Sequence, residues 1–239
     1  MPLISNKKNL GIVSMRGHHF HSRFLNKSSV VIDLGSHLGQ FSDEVNRQFG
    51  CQCHAVEALP SLYQKIKESG FIKKYNYAIT SINQPISLEI TDNPESNYIQ
   101  KNPKNNLNNN IEVSGITLEK FIKDHEISQI DLVKIDIEGA EVDLFDSISD
   151  QTLAKIKQIT IEFHDFKLPI QQKVDAIIKR LQDMGFYYIP FSWHTRGDVL
   201  FINRNQCLIS FWELFFIKYW IKYLRGLTRK IKKVIYSNK

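Results

Sequence analysis

Residues 131–141 read DLVKIDIEGAE. Leu132, Val133, Ile135 and Ile137 belong in a sheet core, yet Lys134, Asp136 and Glu138 alternate with them and Glu141 follows one short turn later. A charge buried without a partner costs several kcal/mol. A chain can therefore carry this pattern only if the charges pair with one another or emerge where the strand ends at a polar crevice. Either solution ties a central strand to a site.

The flanking pattern says what kind of sheet this is. Short apolar runs at 28–35 (SSVVIDLG), 51–58 (CQCHAVEA), 71–80 (FIKKYNYAIT), 84–91 (QPISLEIT) and 156–166 (IKQITIEFHDF) read as strands. Helical spacing of Leu38, Phe41, Val45 and Phe49, stopped by Gly50, predicts a helix over 36–50. Further helices are predicted over 59–70, with Pro60 in the first turn, over 117–126 with a Thr117 cap, from Ala140, and over 169–185. Two closing strands, FYYIPF and RGDVLFINR, follow, and the Asn-rich stretch 92–115 reads as a long loop beside the acceptor site. Strand–helix alternation of this kind predicts a mainly parallel sheet covered on both faces, with ligands beyond the carboxyl ends of its strands. Asp33, Gly35, Glu57, Asp136, Glu138, Glu162 and His164 all fall at such ends.

Composition adds the boundaries. The 239 residues suit one α/β domain with appendages: an N-terminal segment or lid at 1–27, a core domain at 28–204 and a tail at 205–239. Three cysteines make no disulfide framework, and neither a signal-peptide run nor an apolar run of spanning length is expected. The expected location is cytoplasmic, with a peripheral place on the inner face of a membrane as an extension. Net charge is +6, but the stretch from Arg204 onward holds nine basic residues and one acid, Glu213, so the body is slightly acidic. That distribution argues against nucleic acid as the partner of the fold itself.

The crevice residues narrow the ligand. VIDLGSHLGQF has the spacing D-x-G-x-x-x-G, with Asp33, Gly35, Ser36 and Gly39 in one turn, and Glu57 ends the next strand, where an acid can accept from a ribose diol. The third glycine of a dinucleotide-binding turn is missing. S-adenosylmethionine is favoured over a dinucleotide, since its cationic sulfur and ammonium suit an acidic crevice, although the residues alone leave both open.

The chain resembles the FkbM family of S-adenosylmethionine-dependent methyltransferases. VIDLGSHLGQF, AVEALP, YNYAIT, ITLEKFI, DLVKIDIEGAE, IEFH, MGF and DVLFINR occur in family order between about Val30 and Arg204. LVKIDIEGAE is the most specific of these, matching L-x-K-I-D-[VI]-E-G-A-E. The resemblance implies a class I methyltransferase (Rossmann-like) three-layer sandwich, with a seven-stranded mainly parallel sheet whose last strand is antiparallel. It implies O-methylation of a glycan, glycolipid or related small molecule. Carried over, Asp33, Gly35, Ser36 and Gly39 line the methionine part of the cofactor, Glu57 holds the ribose, Asn76 and Ala78 border the adenine, and Asp136 lies near the methyl group.

Candidate catalytic residues are His164, Asp136 and Glu138, with His164 as the general base because imidazole titrates near neutrality and Asp165 as a rival. Lys134 is expected to pair structurally with a neighbouring acid, and Glu141 to serve mainly the helix dipole. Asp136, Glu138, Glu162 and His164 could converge on Mg²⁺ or Mn²⁺, but the site is read as metal-free. GHHFH (17–21) is read as a solvated segment rather than a ligand cluster or lid, and Cys51 and Cys53, without a matching pair, do not suggest zinc. The tail, aromatic first and then basic over 208–236, suits an anionic membrane surface, with a dimerising or capping helix as the alternative. Competing functions are a non-catalytic nucleoside- or sugar-binding module, and methyl transfer to nucleic acid or protein.

Overall fold

A computed structural model describes residues 11–89, 110–164, 170–192 and 195–220. A hairpin of β1 (Ile12–Met15) and β2 (His18–His21) precedes β3 (Val30–Leu34), α1 (Gln40–Phe49), β4 (Gln52–Val56), α2 (Pro60–Tyr63), β5 (Ile72–Tyr75), β6 (Ala78–Ile79) and β7 (Ile86–Glu89). Then follow β8 (Asn110–Val113), β9 (Gly115–Ile116), α3 (Leu118–Asp124), β10 (Leu132–Ile135), α4 (Glu141–Ser147), α5 (Asp150–Ala154), β11 (Gln158–Ile161), α6 (Gln171–Asp183), β12 (Phe186–Pro190), β13 (Val199–Asn203) and α7 (Phe211–Phe215).

Seven strands form one mixed sheet in the order β12–β13–β11–β10–β3–β4–β5. The β11/β10, β10/β3, β3/β4 and β4/β5 pairs are parallel, and β13 runs antiparallel to both β11 and β12. Side chains alternate across each strand, so adjacent residues feed opposite cores. Ile32 and Val133 join Phe121, Phe145 and Leu181 on one face. Val31 and Leu132 join Phe20, Phe41, Val45 and Ile217 on the other.

Four expectations change. The helix predicted over 59–70 is a single turn, and the Lys74 ammonium meets the carbonyls of Tyr63 and Ile66 at and beyond its end. The strand predicted over 71–80 breaks at Asn76, whose amide donates to the carbonyls of Glu57 and Ala58, and β6 pairs with β9 instead. The long loop ends in β8, which pairs with β7; residues 92–109 of it lie outside the described residues. GHHFH is not solvated: His18, His19, Phe20 and His21 form a wholly buried strand packed on the main sheet.

The charges of β10 are paired. Lys134 and Asp33 are register neighbours on adjacent strands, their side chains 5% and 0% exposed, with Nζ 3.3 Å from Oδ1. Nζ also donates to the carbonyls of Leu34 and Gly35 and lies 3.7 Å from Asp136 Oδ2, while Asp33 Oδ2 accepts from Ser42 Oγ. Removing one member strands the other in the core, which costs about 3–5 kcal/mol. Lys134→Met should lower the urea-unfolding free energy by that order, and adding Asp33→Asn should restore part of the loss. Equal loss in the double variant would refute the pairing.

Candidate active site

The main-sheet strands β3, β4, β10 and β11 stop at Leu34, Val56, Ile135 and Ile161, and the residues just past them surround a cavity of about 640 Å³. Gly35, Ser36 and His37 follow β3, Glu57, Ala58 and Leu59 follow β4, Asp136, Ile137 and Glu138 follow β10, and Glu162 and His164 follow β11. Leu62, Tyr77, Ala78, Ile79 and Leu88 supply an apolar wall on one side, and Arg16 and His18 of the hairpin close another.

The turn after β3 exists because of Gly35. Its φ is +70°, and a Cβ there would run into the Asp136 carbonyl oxygen, so the loops after β3 and β10 touch backbone to backbone. Gly39, at φ +73°, starts α1 against Ile66. His37 (φ 53°) and Glu138 (φ 47°) also adopt left-handed backbone, which is uncommon for residues with a side chain and gathers at functional loops. Ser36 Oγ is buried and has no hydrogen-bond partner among the described residues.

Glu57 is a built acceptor. Its Oε2 accepts from the His37 amide at 2.8 Å and its Oε1 from the Leu59 amide at 2.9 Å, which fixes the carboxylate plane and leaves lone pairs for a ligand. Burial pushes its carboxyl upward against those amide bonds.

At the opposite end, His164 Nδ1 lies 2.7 Å from Oε1 of Glu141, which is fully buried and also accepts from the Gly139 amide. His164 Nε2 is 3.4 Å from Glu138 Oε2 and 3.8 Å from Asp136 Oδ1. Burial disfavours the imidazolium, but Glu141, Glu138 and Asp136 outweigh it and raise the ring above its ordinary value. Asp136 is held well below the ordinary carboxylate range: burial opposes this, while His18, Lys134 and His164 prevail. Glu162 is raised by burial and by the charge of Asp136.

The pocket thus gathers Gly35, Ser36, Glu57, Ala78, Asp136, Glu138 and His164 from the residues expected there. Asp33, Gly39 and Asn76 do not line it; they hold the Lys134 ammonium, the start of α1 and the chain after β4. Asp165 lies outside the described residues. Two contributors were missed. Glu141 is the partner of His164 rather than only a helix-start carboxylate, a link that joins residues 23 apart and leaves no local pattern. His18 reaches to 3.5 Å from Asp136; the signal was the GHHFH cluster itself, whose burial depends on tertiary packing.

The model of the "Methyltransferase FkbM domain" family matches residues 33–188, more than half of the chain. The chain belongs to the FkbM methyltransferase family. A 70-residue stretch, 29% of the chain, is 42% identical to AMB antimetabolite synthetase AmbE of Pseudomonas aeruginosa, of which it spans 3%. The solved FkbM methyltransferase of Methylobacillus flagellatus aligns with a TM-score of 0.49 and 12% identity over 74% of this chain and 44% of that one. TrmK of M. capricolum, solved with S-adenosyl-homocysteine, aligns with a TM-score of 0.39 and 12% identity over 89% and 82%.

The Glu141 contact predicts how this FkbM-family histidine titrates. Glu141→Gln removes the leading influence that raises His164, so the ring should titrate at lower pH in the variant, read by NMR of the imidazole resonances. An unmoved His164 titration would dissolve the dyad.

Proposed function

We propose that this FkbM-family chain is an S-adenosylmethionine-dependent O-methyltransferase that methylates a hydroxyl of a glycan, glycolipid or related small molecule. The observation that carries the reading is the placement of His164, backed by the buried Glu141, in the same cavity as the Gly35–Ser36 turn and the amide-fixed Glu57 carboxylate. The sheet order supports the class I methyltransferase arrangement, with β13 as the single antiparallel strand.

The residues present fit the cofactor. Glu57 offers lone pairs to a ribose diol, the orphaned Ser36 Oγ lacks a partner that a ligand can supply, and Gly35 allows backbone approach. Leu59, Leu62, Tyr77, Ala78 and Leu88 offer an apolar surface for a purine. Asp136, Glu138 and Glu162 place negative charge where cationic groups would lie. Bound there, S-adenosylmethionine would supply an electrophilic methyl group on a positively charged sulfur.

The chain's own work is alignment and proton removal. Glu141 orients the His164 ring through Nδ1, and the ring takes the proton of an acceptor hydroxyl at Nε2, beside Glu138 and Asp136. Glu141 also stabilises the imidazolium that results. Donor atoms of Asp136, Glu138 and His164, and of His18, Asp136 and Glu162, each lie within 4.8 Å of one another, close enough that either set could hold a cation. Asp136, common to both sets, already faces the buried Lys134 ammonium, whose charge opposes a cation, and the proposed reaction uses none.

The test separates binding from turnover. His164→Asn should cut methyl transfer about 10²–10⁴-fold while S-adenosylmethionine affinity by calorimetry stays within a few-fold; Glu57→Ala should weaken that affinity. Methyl-labelled cofactor with a fractionated cell lysate should label glycan or lipid. Label in nucleic acid or protein would overturn the acceptor, and cofactor binding without any transfer would favour a binding module.

A further inference from the structure

The C-terminal element has two unlike sides. Ser210 caps α7 by accepting from the Glu213 amide, and the helix runs on as a π-turn over Phe216–Trp220. Inward, Ile217 is 1% exposed and Leu214 packs with the same core as Phe20 and Phe41. Outward, Leu208, Phe211 and Trp212 are 89%, 73% and 67% exposed, and Phe215 and Tyr219 continue the row. Such a run of large exposed apolar side chains is uncommon on a folded surface and marks an interaction site.

The charges separate in the same way. Glu213 is the only acid from Arg204 to the end of the chain. It is turned inward, 3.1 Å from His21 Nε2 and 2.9 Å from Arg23 Nη1, and Arg23 also donates to the Leu208 carbonyl at 2.6 Å. The one negative group is thus consumed within the fold. The sequence directly after the aromatic row, residues 221–239, carries seven bases and no acid.

We infer that the face of Leu208, Phe211, Trp212, Phe215 and Tyr219, with the basic segment that follows it in sequence, docks the protein on an anionic lipid surface. Phe and Leu enter the acyl boundary, Trp and Tyr suit the headgroup level with an apolar ring and a polar tip, and Lys and Arg meet the lipid phosphates. Among the described residues no helix is long and apolar enough to cross a membrane, so the contact is with the surface. A nucleic acid would meet the bases but gives no account of Leu208 standing 89% exposed beside Phe211. The inference stands apart from the methyl-transfer reading, since it uses no pocket residue.

The full chain is pelleted with vesicles of phosphatidylcholine alone and of phosphatidylcholine containing phosphatidylglycerol, at low and high salt. It should bind the second, lose binding with salt and show blue-shifted tryptophan emission. Lys230→Ala/Lys232→Ala/Lys233→Ala should lower partitioning about a hundredfold, at about fivefold per base. Trp212→Ser/Phe215→Ser should also release the protein with the melting curve retained; if that variant unfolds, the lysine variant carries the test. Equal binding to both vesicles overturns the anionic preference. Absence of pelleting overturns the proposal, in favour of RNA if single-stranded RNA is retained, or of a second copy if sedimentation shows a dimer that Trp212→Ser abolishes.

Discussion

The Lys134–Asp33 ion pair sets the rest of the structure. Two charges side by side in the middle of a sheet are tolerable only when desolvation is offset by close pairing and by hydrogen bonds to the remaining protons and lone pairs. Here the ammonium has the Leu34 and Gly35 carbonyls and the carboxylate has Ser42. Burial works against the charged lysine, and Asp33 and Asp136 outweigh it, so the ammonium stays charged. Because Nζ bonds the last residue of β3 and the first of the turn, it locks the exit of β3 to the exit of β10. The same pair that solves the burial problem therefore fixes the two loops that meet across Gly35 and Asp136.

From that junction the cavity acquires two chemically different ends. Near β4, Glu57 is clamped by two amides, beside an apolar wall that includes Leu59, Leu62 and Ala78. Near β11, carboxylates crowd around one imidazole, and the fully buried Glu141 stands behind it. The asymmetry follows from strand order: β3 and β10 are central, so β4 and β11 lie on opposite sides of the junction. An extended ligand crossing the loops after β3 would meet a rigid hydrogen-bond acceptor at one end and a proton acceptor at the other.

Much of this was legible in sequence, and the failures share a cause. The strands around VIDLG, CHAV and VKID are short apolar runs ended by glycine or an acid, so their ends, and with them Gly35, Glu57 and Asp136, could be placed. The Lys134 pairing followed from the cost of lone buried charge. What was not legible depended on contacts between distant segments. Lys74 meets carbonyls at and beyond the end of α2 from the following strand, Asn76 bonds carbonyls 18 and 19 residues back, and Glu141 meets His164 23 residues on. Asp33, expected near the cofactor, sits one position inside β3 with its carboxylate against Lys134, which itself lines the cavity.

The hairpin shows the same lesson in a stronger form. HHFH reads as polar, yet each ring of β2 has a place across the two faces of the strand: His18 and Phe20 meet Phe41, His19 stacks on Phe191 and pairs with Asp198, and His21 pairs with Glu213. Imidazole is polar only at its nitrogens, so a strand of histidines can be buried when carboxylates from other elements meet them. The result is that four consecutive residues reach both the cavity, through His18 and Asp136, and the C-terminal helix, through His21 and Glu213. The hairpin thus helps hold the exposed aromatic face to the body of the fold, together with Ile217 and Leu214 in the core, and it does so while forming one wall of the site. Whatever surface that face rests on, its orientation relative to the cavity is set by β2 packing against β11 and β13 rather than by a free linker.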